Sequence, residues 1–424
     1  MVNLMKDSAI QWIENIPQDW NTIKIGSIYS ERRTKVNDVD YPPLSVTKRG
    51  VLPQLENVAK SDDSENRKLV KTNDFVINSR SDRKGSCGIS SLDGSVSLIN
   101  TVLIPKLNMN NVFYNFVFKS EQFSDEFYKW GHGIVADLWT TKWSDMKNIY
   151  VPYPPVQTQK KIADYLDDKC RKIDQAIEGQ KKIIEKLKEY KQSVITEAVT
   201  KGLDPNVPMK DSGVEWIGQI PEHWEIKRFK FIADRFYKGT GITKEEVFED
   251  GDIPCVRYGE IYSKYNNSFD ECFSRTYLEK IPKPQYFSYG DLLFAGTGEL
   301  VEEIGKNIVY LGNEKCLAGG DIIVVKHSFN PFFLNYALNS NSAIVQKSIN
   351  KSKLKVVHIS APEIKNILVA LPAREEQEKI ANHLNEVSQK INLSIKQKEE
   401  TIEKLTEYKK SLIYECVTGK KEIV

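Results

Sequence analysis

A run of 47 residues occurs twice in this chain, and any fold must accommodate both copies. Pro154 to Thr200 aligns with Pro372 to Thr418 at a shift of 218 positions without a gap. Ile162 falls on Ile380, Leu166 on Leu384, Ile173 on Ile391 and Leu187 on Leu405. IEKLKEYKQS (Ile184 to Ser193) falls on IEKLTEYKKS (Ile402 to Ser411). A repeat this long precedes every other consideration in reading a fold. Each copy predicts one long helix. Leu166, Ile173, Gln180, Leu187 and Val194 form a seven-residue column flanked by Ile162, Ile177 and Ile184. The second copy offers Leu384, Ile391, Lys398, Leu405 and Leu412, flanked by Val387, Ile395 and Ile402. Apolar residues at that spacing with charges between are the pattern of a coiled coil. Roughly 45 residues at about 1.5 Å each make a rod of about 70 Å. A half-apolar rod of that length needs a partner, and the simplest is the other copy. Gln180 and Lys398 occupy the same column position and are expected to fix the antiparallel register as buried polar residues.

A second repeat precedes the helices. DSAIQWIENIPQDW (Asp7 to Trp20) matches DSGVEWIGQIPEHW (Asp211 to Trp224) at a shift of 204, so the second half carries about 14 extra residues between its repeats. The Trp pairs read as packing anchors. The order is short segment, variable domain, long helix, twice over. Residues 1–153 form the first half, with a variable core at 21–153, and 154–201 is the first long helix. Residues 202–224 hold a Gly-, Pro- and Asp-rich linker and the repeated Trp/Pro segment, 225–371 a second variable domain, 372–418 the second long helix and 419–424 a tail. Each variable domain mixes strands and helices. Pro42–Thr47, Asp74–Ser79 and Ser95–Pro105 predict strands in the first, Asn111–Trp130 a helix, and Trp143–Pro155 a final strand. In the second, Ile253–Tyr262, Gly290–Gly296, Ile304–Leu311 and Asp321–Lys326 predict strands, and Asn330–Ile349 a helix. The fold class is mixed α/β.

Composition narrows the chemistry. The chain has 424 residues, 28% of them charged, and a formal net charge of +2, so any nucleic-acid contact must come from local patches. Neither an apolar run of membrane-spanning length nor a signal-peptide core is visible. Six scattered Cys without a CxxC pair suggest neither zinc nor a disulfide framework, and fit a reducing cytoplasm. The five His are isolated, and no phosphate-binding glycine loop, HExxH or GxSxG is present. One stretch points to an enzyme instead. GDLLFAGTGE places Phe294, Gly296 and Gly298 in an F-x-G-x-G pattern like the S-adenosylmethionine loop of methyltransferases. A tight turn between strands is the other reading of that loop, and Asn330-Pro331-Phe332-Phe333 lacks the second Pro of an amine-holding motif.

Basic and aromatic residues gather in the predicted loops of both variable domains. The first has Lys48 and Arg49 after a strand, and Arg80, Arg83 and Lys84 within SRSDRKGS. The second has Arg257, Tyr258 and Lys264 within RYGEIYSKYNN, and Lys351, Lys353 and Lys355 within KSKLK. Lys and Arg neutralise phosphates, and Arg also pairs with base edges, so these are the candidate DNA-binding residues.

The whole layout resembles the DNA-specificity subunit of type I restriction–modification systems. The resemblance rests on the W-I-x-x-I-P-x-x-W segment (Trp12 to Trp20, Trp216 to Trp224), the P-P-x-x-x-Q-x-x-I-A-x-x-L helix start (Pro154 to Leu166, with its second copy Pro372 to Leu384) and the I-E-K-L-x-E-Y-K helix core. The family's usual Glu-Gln at the helix start is kept as Glu376-Gln377 and altered to Thr158-Gln159 in the first copy. The resemblance implies a non-catalytic subunit whose two target-recognition domains each read half of a bipartite, asymmetric double-stranded DNA sequence. It implies antiparallel helices that set the spacing, through Ile162, Leu166, Ile173, Ile177, Ile184, Leu187 and Val194 on one and Ile380, Leu384, Ile391, Ile395, Ile402, Leu405 and Leu412 on the other. It also implies two copies of a partner methyltransferase subunit, which carry the S-adenosylmethionine and methylate adenine, and a restriction subunit that can join them. The chain itself would then hold no cofactor or metal.

Overall fold

The computed structural model describes residues 4–55, 65–106, 109–133, 139–349, 351 and 356–423. The chain folds as two compact units, Met1–Lys181 with Lys398–Val424, and Lys182–Gln397. Each long helix is continuous, Val156–Lys201 and Arg374–Val417, and contributes a part to both units.

In the first unit an antiparallel sheet runs in the order Cys87–Ile89, Phe75–Asn78, Asn100–Pro105, Tyr29–Glu31. Two helices, Asn111–Lys119 and Glu121–Lys129, supply Phe113, Phe118, Phe123 and Phe127 to the same core as Tyr29 and Phe75. The ring centroids of Phe75 and Phe118 lie 4.7 Å apart, and those of Phe118 and Phe123 4.8 Å apart. Such ring pairs add about 0.5–1.5 kcal/mol each beyond the area they bury. The second unit repeats the plan. Its sheet runs Ala233–Lys238, Ile322–His327, Leu292–Ala295, Asn307–Tyr310, with Ser268–Phe269 added in parallel at the edge. Helices Pro331–Leu338 and Asn341–Ser348 pack on it through Phe333, Leu334 and Leu338. A further four-stranded sheet, including Ile253–Val256 and Cys316–Ala318, accompanies the longer sequence of this unit.

The helix expected over Asn111–Trp130 is broken at Ser120, and that over Asn330–Ile349 at Ser340. In each case the serine hydroxyl donates back to a carbonyl three residues earlier, Val117 or Ala337, at 2.7 Å. It also accepts the N–H three residues on, from Phe123 or Ala343. The serine thereby ends one helix and caps the next. The strand expected over Ser95–Pro105 is two strands, Gly94–Val96 and Asn100–Pro105, because Asn100 turns back on Ser97. Ile253–Tyr262 is a strand only to Val256, and Tyr258–Ser263 is helical. Within Trp143–Pro155 the first turn is helical and only Tyr150–Tyr153 is strand, pairing with Asn21–Lys24.

The long helices join the units' cores with their own residues. In the first unit Leu166, Ile173 and Leu412 are buried together, with Ile177 and Leu405 partly buried against them, and Lys409 bonds Asp174 at 2.6 Å. In the second, Ile380 and Leu384 are buried with Ile195, and Lys191 donates to Asn392 at 2.9 Å. Residue number rises along one helix as it falls along the other, so the two pack antiparallel, as a coiled coil. The column is only partly covered at Gln180, Leu187, Val194, Lys398 and Leu405. Gln159 and Gln377, which align in the repeat, make the same two bonds. Each donates to the carbonyl of the Pro five residues earlier, Pro154 at 2.8 Å and Pro372 at 2.9 Å. Each also accepts a backbone N–H from the cap of a helix in its unit, Asn110 at 2.8 Å and Asn330 at 3.3 Å.

The Trp/Pro segments form hairpins, Met5–Asp7 with Asn15–Pro17 and Met209–Asp211 with Gln219–Pro221. Trp12, Trp20 and Trp224 are buried anchors, whereas Trp216 is 36% exposed. Tyr414 near the end of the second long helix donates to the Trp12 carbonyl at 3.1 Å, and Trp224 donates to Glu376 at 3.0 Å.

Candidate nucleic-acid interface

In the first unit, Lys48 and Arg49 are the two central residues of the hairpin turn between Leu44–Thr47 and Gly50–Pro53. The turn is closed by Thr47, whose hydroxyl donates to the Gly50 carbonyl at 3.0 Å and accepts from the Arg49 N–H at 3.1 Å. Gly50 has φ +124°, a value L side chains rarely adopt. A Cβ on Gly88 would approach the Gly50 Cα to 2.9 Å, so the hairpin lies flush on the strand Cys87–Ile89. That contact brings the turn beside the loop carrying Arg80, Arg83 and Lys84. The loop leaves Asn78, whose side chain accepts the Arg80 N–H at 3.1 Å, makes one tight turn at Ser81–Arg83 and returns at Ser86.

Lys48, Arg80 and Arg83 line one open groove. Arg49 is exposed at the tip of the same turn, and Lys84 pairs with Asp125 on the helix Glu121–Lys129. The groove also holds Arg67, Asn78 and Asn100, which the sequence did not single out because they sit inside or beside strands. Arg67 is held by the Ser95 hydroxyl at 2.8 Å, and burial pulls its pKa down from the ordinary guanidinium value. The side-chain oxygen of Asn100 is buried without a hydrogen-bond partner among the described residues. Four cations and one acid, Asp82, line this groove.

In the second unit, Arg257, Tyr258 and Lys264 line a groove together with Lys238, Lys244 and Phe273. Arg257 stands at the turn from Ile253–Val256 into the helix Tyr258–Ser263, and Lys264 ends that helix. The Lys264 ammonium lies 4.0 Å from the centroid of the Phe273 ring, which is 62% exposed. An exposed ring under a cation on a basic surface suits stacking against a base or sugar. Lys238, Lys244 and the glycines at 241, 259, 319 and 320 were the missed part of this groove. The signal for Lys238, Gly241 and Lys244 was present in YKGTGITK (Tyr237 to Lys244), where lysines bracket two glycines. Lys351 is elsewhere, bonded to the His358 carbonyl at 2.7 Å and to Glu363 at 2.5 Å. Lys353 and Lys355 lie outside the described residues.

The F-x-G-x-G stretch is built into the core. Phe294 is fully buried on Leu292–Ala295, a strand hydrogen-bonded on both sides. Gly296 donates to the Asp321 carbonyl at 2.7 Å and accepts from the Ile359 N–H at 2.9 Å. A Cβ there would come 2.9 Å from the Asp321 oxygen, so this glycine serves the crossing of two chains. Asn330 caps the helix Pro331–Leu338, accepting the Phe333 N–H at 3.0 Å. Among the described residues no group of three or more His, Cys, Asp or Glu is placed to hold a metal ion, and no helix is long and apolar enough to cross a membrane.

Comparison with known proteins bears on this architecture. The family described as type I restriction modification DNA specificity domain matches twice, over residues 17–195 and 221–404. The type I restriction enzyme MjaVIII specificity subunit of Methanocaldococcus jannaschii is 26% identical, over 96% of this chain and 93% of that protein. A chain solved in work on complex assembly and conformational transition of the type I R-M system superposes with a TM-score of 0.71 at 15% identity, over 96% of this chain and 99% of that one. The HsdS subunit from Thermoanaerobacter tengcongensis superposes with a TM-score of 0.51 at 16% identity, over 96% and 98%. The two matched segments each contain one strand–helix domain and most of one long helix. This chain belongs to the type I restriction–modification DNA-specificity family, as a specificity subunit and not a catalytic one.

Proposed function

We propose that the chain reads a bipartite, asymmetric sequence in double-stranded DNA, one half with each unit, and so positions two copies of a DNA adenine methyltransferase subunit. The observation that carries this is that two units of the same strand order each hold a cation-lined groove, with different residues in it. Alike frameworks with unlike linings suit two half-sites of different sequence. Phosphate contacts from the lysines and arginines orient each unit, and a few base contacts specify the sequence. The long helices act as the spacer in this reading. S-adenosylmethionine belongs to the methyltransferase partner, a restriction subunit can join the complex, and the cytoplasm is where DNA and partners meet.

Exchange of residues 21–153 for the same segment of a family member with another target tests the proposal. Methylation mapping of DNA marked by the reconstituted complex should show one half-site replaced, with the other half and the spacer kept. Both halves changing together, or neither, sinks it.

A further inference from the structure

The cations in the second unit's groove are not equivalent. Arg257 is held in place. Its Nε and one terminal nitrogen donate to the same oxygen of Glu260, each at 3.1 Å. The other Glu260 oxygen accepts the Arg257 backbone N–H at 3.0 Å. Ser274 donates to the first oxygen at 2.5 Å, and Glu260 itself is buried. The carboxylate is therefore saturated and fixed by the strand Ser274–Thr276 and by its own helix. The guanidinium plane is fixed with it, and its outer edge, carrying both terminal nitrogens, is left for the groove.

This pair is close to electroneutral. Contact with a phosphate draws its strength from an unpaired positive charge and from the counterions it releases, and it makes small demands on orientation. Reading a base edge makes the opposite demands. It needs two N–H groups at a set spacing and angle, and gains little from net charge. Lys264 and Lys244 suit the first task, since a lysine ammonium is a point charge on a flexible stem. The wall beside them is open. A Cβ on Gly241 or Gly259 would meet nothing within 4 Å, so a bulky ligand can approach the backbone there.

Resting on the function proposed above, we propose that Arg257 reads a guanine in one half-site through its N7 and O6 edge, with Glu260 as its positioning residue, while Lys244 and Lys264 contact phosphate. Two N–H donors side by side match the two acceptors of guanine in the major groove, which adenine, cytosine and thymine do not offer as a pair.

The test uses the full chain in complex with its methyltransferase subunit. Methylation maps and DNA binding over a salt series are compared for the wild type, Arg257→Ala and Lys264→Ala. Arg257→Ala should relax one guanine position to any base, with discrimination there falling about tenfold to a hundredfold. The other half-site and the salt slope should stay unchanged. Lys264→Ala should keep the motif, weaken binding to all sequences alike, and lower the salt slope by about 1. Should Arg257→Ala fail to fold, wild-type complex on DNA with 7-deazaguanine in each half in turn replaces it. Loss of N7 in one half should then weaken binding about as strongly. An unchanged motif in Arg257→Ala, a uniform loss of affinity with a flatter salt slope, or indifference to 7-deazaguanine overturns the assignment. A wild-type complex that marks DNA without any bipartite motif would instead overturn the function on which it rests.

Discussion

Lys347 offers a way to measure how the second unit is held together. It lies on the helix Asn341–Ser348 and is 3% exposed. Its ammonium donates to the Gly305 carbonyl at 2.8 Å and to the Asn307 side-chain oxygen at 3.4 Å, and lies 5.7 Å from the centroid of the Phe294 ring. Burial pulls its pKa down from 10.5 to about 7. Between those values the unfolded chain binds a proton that the folded chain does not, so stability climbs as pH rises from about 7 toward 10.5. Below about pH 7 both states are protonated and the cost of the buried charge is present in full. At about 1.36 kcal/mol per pH unit, that cost reaches roughly 5 kcal/mol at most, and roughly 2 kcal/mol remains at pH 9.

Lys347→Met removes the charge and keeps an unbranched side chain one atom shorter. It also leaves the Gly305 carbonyl and the Asn307 oxygen without this donor, at roughly 1–3 kcal/mol. The two effects oppose each other, and pH decides between them. At pH 6 the variant should be more stable than the wild type by roughly 2–4 kcal/mol, and at pH 9 the two should be nearly equal. Urea unfolding read by pulse proteolysis, with peptides from residues 290–349 identified by mass spectrometry, reports on this unit and not on the whole chain. A stability difference that is the same at pH 6 and pH 9 would refute the reasoning, because the ammonium would then not change its charge between them.

Two further outcomes follow from the bonding described above. Gln377→Leu should destabilise the second unit by roughly 1–4 kcal/mol and leave the first unchanged, since one bond to a buried carbonyl and one to a partly buried N–H are lost; Gln159→Leu should do the reverse, and hydrogen exchange resolved by peptide distinguishes them. In the first unit's groove, Arg80→Ala should lower the slope of log binding constant against log salt by about 1, while Arg83→Ala and Lys84→Ala, whose cations are already paired with Asp82 and Asp125, should leave it nearly unchanged.

The framework was legible because the repeat is a direct record of it. The long helices, their apolar column and the paired Trp/Pro segments all follow from residues that recur at fixed shifts. The kinship of the two variable domains was harder to see, because it is carried by caps and not by matching strings. Asn110 and Ser120 in one domain, and Asn330 and Ser340 in the other, bound a helix of nearly equal length and start the next. Phe and Tyr recur through Asn111–Trp130 at helical spacing and hid the break at Ser120, since both helices turn their rings to one core. The grooves were legible only at their loop tips. Arg67, Asn100 and Glu260 are buried polar residues on or beside regular elements, and a strand pattern does not distinguish a polar residue facing a groove from one facing solvent.

The antiparallel register shows what the repeat retains and what it lets vary. The expectation placed the polar contacts at Gln180 and Lys398. Instead the Gln180 side-chain oxygen is buried and finds no partner among the described residues. Two bonds between the helices, Asp174 with Lys409 and Lys191 with Asn392, lie at the same pair of positions in the two copies. The lysine is kept in both, and its acceptor changes from a carboxylate to an amide. An ion pair as exposed as Asp174 with Lys409 adds no more than about 1 kcal/mol. Stability therefore gives little reason to hold these positions, whereas register does. A slip of either helix by one turn would carry both lysines past their acceptors at once, and would also pull Leu166 and Leu384 out of the buried ends of the seam. The ends, where Leu166 and Leu412 in one unit and Leu384 in the other are buried, supply the adhesion, and the lysine bonds nearer the middle specify which of the possible alignments is taken.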